Sequence, residues 1–469
     1  MAESMASPAP YYDQSLDFEA LRREYPVGAE YYRTTHRISR DELHSLQEAR
    51  FFKTVERGWQ VPFYRRRWSE HGLEPGDIRS LDDLRHIPPY SVHDLRDAMG
   101  DNPPFADYIG LDPKKDAPRP LVLHTSGGTT GLPRPMLYSP RDRELFALLG
   151  ARSCFMRGIK PFDLVQVTMA LGLSNGGMQA HEVLWKYTGA IPVLTGSGAS
   201  TPTRRQIEIM KAWGISHLQG FPAYLRHMAE VAQGEFKLDV RTLGLKSIFT
   251  HLGLDRREEL EELWGTKVFD GYGTNEVGAV AGDCEYRTGM HIFEDAFVME
   301  INDVETMQPV AMGEKGTMFM TALFKELGPV IRFNTNDISA FVPGTCACGG
   351  THLRLEKFYG RSDNMIKVRG ANVFPEAVGA VIAAHPASNG EYVCVVDLVG
   401  ADRHEDLTVH VEIKDLGLDR DGLAHELAQR LKEGVGVNCR VEIAAPGDLE
   451  PMTGFATLPK ARRLIDRRH

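Results

Sequence analysis

The chain has 469 residues, 42% of them hydrophobic and 25% charged. At roughly 100–200 residues per domain, that is two to four structural units with a sizeable core. Its 64 acidic and 54 basic side chains leave a formal net charge of -10, so no global positive field exists and nucleic acid is not expected as a partner.

The start, MAESMASPAPYYDQ, lacks the basic and apolar regions of a signal peptide and is expected to be disordered over residues 1–15. From Asp17 to about Ile87 the sequence is charged and helix-like. SRDELHSLQEARFFKTVERGW opens with Ser39 as an N-cap and Glu42 three residues on, a capping box. Pro88 and Pro89 end that region. From about Leu121, short apolar runs (PLVLHT, FDLVQVTMA, GAIPVLTG, LKSIFTHL, TKVFDGYG) alternate with amphipathic stretches such as TRRQIEIMKAW and PAYLRHMAEVAQ. Strands alternating with helices point to an α/β architecture with mainly parallel sheets. HIFEDAFVMEIND and KGTMFMTAL then read as antiparallel.

The last hundred or so residues read as a separate α+β module: YVCVVDLVG, DLTVHVEIK and CRVEIA as strands, DGLAHELAQRLKEGV as a helix, then an irregular tail. The expected division is residues 1–362 and 363–469. No apolar run approaches the roughly 20 residues that cross a bilayer, and six cysteines are too few and too unevenly spaced for a disulfide framework. A soluble cytoplasmic protein without membrane contact is expected.

The most informative stretch is His124 to Tyr138, HTSGGTTGLPRPMLY. It places Thr125, Ser126, Thr129 and Thr130 among Gly127, Gly128 and Gly131, so backbone N–H groups and hydroxyls can converge on an anion with no Cβ in the way. That build suits a polyphosphate. It is not a Walker A loop, which ends in Gly-Lys-Ser/Thr where this one has Gly131-Leu132-Pro133-Arg134. Further on stand DGYGTNEVG with Tyr272, Thr274 and Glu276, and RFNTNDIS with Asp337. EKFYGRSDNMIKVRGANVFPEAV follows with Arg361, Asp363 and Lys367, and LPKARRLIDRR with Lys460 comes last.

In order and spacing these five motifs resemble the acyl-adenylate-forming superfamily, and in detail its phenylacetate-CoA ligase branch. The resemblance runs from about Leu121 to the C-terminus. It implies a large adenylation body followed by a small mobile C-terminal domain, and a reaction in which ATP and a carboxylic acid form acyl-AMP before coenzyme A attacks. Two anions must meet in the first step, so catalysis chiefly neutralises and positions charge.

By that resemblance the 125–131 loop and Arg134, at the family's usual lysine position, hold the β- and γ-phosphates. Glu276 holds Mg2+, Asp337 the ribose hydroxyls and Arg361 the ribose or phosphate. Gly271, Tyr272, Gly273, Thr274 and Gly253 line the nucleotide. Lys460 bridges the acid and the α-phosphate, although Pro459 stands where the family has glycine. Asp363 is the hinge about which the C-terminal domain turns, and Lys367 and Gly370 face coenzyme A. The acid pocket falls to Tyr138, Leu173, Asn175, Gly176, Gly177, Phe221, Ala223 and Gly253, an aromatic or arylacetic acid being the expected substrate. Asn175 and Gln179 make this pocket more polar if they point inward; either could equally be at the surface.

Cys346-Ala347-Cys348 forms a tight knuckle, and Cys284 and His291 stand upstream in CEYRTGMH. Three thiolates and one imidazole satisfy the closed tetrahedral preference of structural Zn2+, with His352 a competing fourth ligand. Relatives also suggest a homodimer. Two alternatives remain: an adenylating enzyme that passes its product to a carrier protein or stops at the nucleotidylated acid, and an idle nucleotide-binding homologue.

Overall fold

The computed structural model describes residues 10–11, 16–100, 103–126, 133–362, 366–368, 371–399, 404–415, 417–436, 438–455 and 461–468. The expectation of disorder over residues 1–15 falls mostly outside them, but Tyr11 is described and its phenol donates to the Glu144 carboxylate.

The chain opens with helices α1 (Phe18–Glu24), α2 (Gly28–Arg33), α3 (Arg40–Gln60), α4 (Pro62–Glu70) and α5 (Val92–Asp97). The capping box read from Ser39 and Glu42 is present at α3, where each side chain takes up a free N–H of the first turn. Gln47 and Arg50 on α3 donate to the backbone oxygens of Glu294 and Asp295, pinning that helix across the body.

Strands β1 (Val122–Thr125) and β2 (Pro135–Tyr138) form a separate antiparallel hairpin. PLVLHT therefore does not join the parallel sheet, and Val122 and Leu123 are exposed. After α6 (Pro140–Met156) comes the expected alternation: β3 (Leu164–Val167), α7 (Asn175–Tyr187), β4 (Ile191–Leu194), α8 (Thr203–Trp213), β5 (His217–Gln219), α9 (Pro222–Phe236), β6 (Ser247–Thr250), α10 (Arg257–Trp264) and β7 (Lys267–Thr274). Proline opens α6 and α9, where its missing N–H costs nothing, and Gly214 ends α8 in the left-handed region.

Strands β8 (Gly278–Asp283), β9 (Met290–Ile292) and β13 (Arg354–Leu355) continue this sheet antiparallel, giving the order β13-β9-β8-β7-β6-β5-β3-β4 among the described residues. Strands β10 (Phe297–Asn302), β11 (Lys315–Ala322) and β12 (Phe333–Ala340) make a second, antiparallel sheet, as the sequence suggests. A large apolar cluster runs from Phe51 and Trp68 through Phe146 to Phe297 and Phe333.

The remaining elements are β14 (Ile366–Val368), β15 (Ala371–Val373), α11 (Pro375–Ala383), β16 (Ser388–Val399), β17 (His404–Ile413), α12 (Arg420–Val435), β18 (Arg440–Ala444), α13 (Glu450–Thr453) and β19 (Leu464–Asp466). They build the sheet β18-β17-β16-β19 around a cluster of their own that includes Val378, Ile382, Val396, Val409, Leu427 and Leu431. The tail read as irregular supplies β19, parallel to β16. Among the described residues no helix is long and apolar enough to cross a membrane.

Candidate active site

The carboxyl ends of β3, β5, β6 and β7 face one way, and ligands of open α/β sheets bind beyond such ends. The β1–β2 hairpin is tied there. Thr125 N–H donates to Leu173 O (2.9 Å) just after β3, and the Tyr138 hydroxyl donates to Asn275 O (2.5 Å) just after β7. Ser126 and Arg134 close the base of the Gly-rich loop: Ser126 N–H donates to Arg134 O (3.0 Å), and Arg134 N–H to Ser126 Oγ (3.3 Å). Gly127, Gly128, Thr129, Thr130 and Gly131 lie outside the described residues, as do Asp363, Gly370 and Lys460. Lys367 is placed on β14 by its backbone alone.

Arg134 is buried, with 3% of its side chain exposed, and pairs with Glu276, at 14%. Burial disfavours the Glu276 charge, but the adjacent guanidinium holds its carboxyl below the usual range. The Arg134 Nε is buried without a hydrogen-bond partner, and the buried Thr274 hydroxyl stands beside the Glu276 carboxylate. Such a donor is costly to leave unpaired and fits an incoming phosphate with its hard cation.

Asp337 forms the second constellation. Its Oδ2 accepts from the Tyr272 hydroxyl at 2.7 Å and its Oδ1 from Arg361 at 2.8 Å, and a backbone bridge joins Asp337 to Arg361. Two glycines set the approach. A Cβ on Gly271 would lie 2.7 Å from the Phe249 ring, and one on Gly273 would lie 2.5 Å from Gly278 O, where the β7–β8 register shifts. The turn after β6 is locked to β7: Asp270 Oδ1 accepts from Leu252 N–H (3.0 Å) and Gly271 N–H (2.8 Å), and His251 Nδ1 lies 2.6 Å from Gly271 O. Gly253 then turns at φ +61° with open space where its Cβ would be.

Among the expected acid-pocket residues, Leu173 (61% exposed), Phe221 (48%) and Ala223 face open space, whereas Tyr138 is fully buried. Asn175 is also fully buried; it accepts from Arg143 and leaves its Nδ2 unpartnered. Gln179 is half-buried. Gly176 and Gly177 open α7 tightly, since a Cβ on Gly177 would sit 2.6 Å from Ala170 O.

The thiol and imidazole ligand atoms of Cys284, His291, Cys346 and Cys348 all lie within 4.8 Å of one another, and the four residues are buried. Pairing of β9 with β13 carries His291 to the knuckle, and Cys348 Sγ is 3.3 Å from its Nε2. The ring's Nδ1 is buried and unpartnered. His352 is not in this group, its Nδ1 lying 2.8 Å from Ile292 O. Sequence reasoning missed His36, whose Nε2 is 3.3 Å from Cys348 Sγ across 312 residues of chain. It also missed Asp270, although that residue opens the DGYGTNEVG segment, and His251, which lies in the LKSIFTHL run.

Residues 370–468 match the model of the AMP-binding enzyme C-terminal domain. The phenylacetate-coenzyme A ligase of Thermus thermophilus is 31% identical over 92% of this chain and 98% of its own length. Its Escherichia coli counterpart is 32% identical over 92% and 96%. Among solved structures, 2-hydroxyisobutyryl-CoA ligase in the postadenylation state with R3-HIB-AMP superposes with a TM-score of 0.76 at 28% identity, over 96% of this chain and 92% of that one. The same enzyme in the thioesterification state gives 0.67, over 92% and 91%. With relatives this similar over nearly its whole length, the chain belongs to the phenylacetate-CoA ligase family.

Proposed function

We propose that this protein is an ATP-dependent, AMP-forming ligase that activates an aromatic or arylacetic carboxylic acid as acyl-AMP and transfers the acyl group to coenzyme A. The observation that carries this reading is that two charged constellations, Arg134–Glu276 and Tyr272–Asp337–Arg361, are both built on β7 and the turn that follows it, at the edge of the parallel strands.

Asp337 presents a carboxylate already oriented by two donors, suited to the paired hydroxyls of a ribose. Arg361 adds a guanidinium to the same edge and can donate to ribose or phosphate. Glu276 would hold Mg2+, which supplies charge neutralisation on phosphate oxygens when bound. Release of Glu276 from Arg134 would free the guanidinium for the phosphates of the same nucleotide, so the pair balances its own charge until ATP arrives. Lys460 completes the reading as the cation that bridges the acid's carboxylate and the α-phosphate. Removing such a charge costs about 100-fold to 1000-fold in rate.

The chain divides near Asp363 in this reading, with residues 363–469 turning about it between adenylation and thioester formation, and Lys367 and Gly370 then facing coenzyme A. The separate apolar cluster of the C-terminal elements supports two bodies. Cys284, His291, Cys346 and Cys348 would hold Zn2+ structurally, all four positions filled by protein. We also propose that the enzyme is a cytoplasmic homodimer; its six unevenly spaced cysteines suit a reducing compartment better than a disulfide framework. Sedimentation velocity tests the dimer. Formation of acyl-AMP and pyrophosphate from ATP, Mg2+ and an arylacetic acid, followed by thioester on adding coenzyme A, tests the function. Absence of both products across a broad aromatic panel overturns it.

A further inference from the structure

His251 stands at the end of β6, in the turn that Asp270 locks to β7. Its Nδ1 lies 2.6 Å from Gly271 O, a carbonyl that can only accept, so this nitrogen carries the proton. In the neutral ring Nε2 is then a lone-pair acceptor. Burial holds the imidazole below its usual pKa, favouring that neutral form, and Arg157 opposes protonation further. Nε2 has no hydrogen-bond partner among the described residues, and His251 is only partly buried, which leaves that lone pair open to a ligand donor.

The two ring nitrogens point in widely different directions. With Nδ1 turned to β7, the ring stands 6.0 Å from Phe221, the half-exposed aromatic after β5. Beyond it Gly253 leaves open space. An acceptor beside an exposed aromatic wall is a specificity element, because a site built to hydrogen-bond a group discriminates strongly against the analogue without it.

We propose that His251 Nε2 accepts a hydrogen bond from a donor on the acid substrate, so the preferred acids are arylacetic or aromatic acids carrying a hydroxyl or amino group. This rests on the ligase reading above. The same lone pair could serve the adenine amino group, but the imidazole stands beside Phe221, and the hydroxyl of Tyr272, on the nucleotide side, is already committed to Asp337.

The test is a kcat/KM series of pyrophosphate release with phenylacetate and its ortho, meta and para hydroxy, amino and methoxy derivatives, for the wild type and for His251→Phe. One hydroxy or amino isomer is expected to exceed its methoxy counterpart by roughly 10-fold or more, and His251→Phe to bring that ratio close to one whatever its absolute rate. A wild type with no isomer preferred overturns the proposal, as does a ratio unchanged in the variant. A variant that raises the ATP KM while keeping the ratio also overturns it, assigning the imidazole to adenine. Pyrophosphate release from none of these acids instead sinks the ligase reading, and the proposal with it.

Discussion

Replacing Asp337 by alanine separates a binding role from a structural one. The carboxylate accepts from a nearly buried Tyr272 hydroxyl at 2.7 Å and from Arg361 at 2.8 Å. Hydrogen bonds to a charged group are worth about 1.5–3 kcal/mol each, but Arg361 keeps 29% of its side chain in solvent, which screens its share. The expected loss of stability is therefore about 1–3 kcal/mol, most of it from the stranded phenol. If the carboxylate also holds the ribose hydroxyls, a second loss of about 1.5–3 kcal/mol falls on nucleotide binding, or roughly 10-fold to 150-fold in the ATP KM. Asp337→Asn keeps one acceptor oxygen and lies between. Initial rates of pyrophosphate release against ATP concentration, beside thermal melts of the same samples, read both effects. An ATP KM within twofold of wild type, with a lowered Tm, would refute the ribose role and leave Asp337 as a brace for Tyr272.

Other outcomes follow from named contacts. Protein purified without chelator should contain about one zinc per chain by elemental analysis, and Cys348→Ala should lose it along with several degrees of Tm; metal-free wild type contradicts the site. Arg152 and Asp295 are both fully buried and doubly hydrogen-bonded at 2.7 and 2.9 Å, and removing Arg152 leaves the Asp295 carboxylate only the longer Arg50 contact at 3.6 Å, so Arg152→Met should cost about 3 kcal/mol in denaturant melts. The double variant Arg152→Met/Asp295→Leu should recover much of that loss, and an equally unstable double variant would count against an uncompensated charge as the cause. Burial, with Asp283 close by, pushes the Asp270 carboxyl up to about 7, although the Leu252 N–H favours its charge. A raised carboxyl contributes its full stability below about pH 4 and loses it as pH rises through 7, a change on the order of 2–4 kcal/mol. Asp270→Asn should therefore gain on wild type between pH 5 and pH 8, and a pH-independent gap in urea melts would show that the carboxyl titrates normally.

Much of this was legible because local rules and global fold agree. The Ser39–Glu42 box, the alternation from β3 to β7 and the cysteine knuckle each carry their physics within a few residues. What escaped depends on partners distant in sequence. An apolar run such as PLVL looks the same in a hairpin as in a parallel sheet, and only the antiparallel pairing of Val122 with Tyr138 decides. The charged ending hid β19, an edge strand whose flanking Arg463 and Arg468 pair with Glu391 and Glu405. Arg134 reads as an open phosphate ligand until Glu276 is seen to cover it. His36 stands in no motif, and nothing in LKSIFTHL singles out His251; each acquires meaning from a neighbour distant in sequence, Cys348 and Gly271.

The proposed function comes down to one chemical event, and mass spectrometry of a single reaction followed in two stages measures it most directly. With ATP, Mg2+ and a panel of aromatic and arylacetic acids, the protein should form an acyl-AMP and release pyrophosphate in equal amount. Adding coenzyme A should convert that adenylate to the thioester with release of AMP. An adenylate that persists in the presence of coenzyme A would contradict the acceptor. A panel that yields neither adenylate nor pyrophosphate would contradict the function itself.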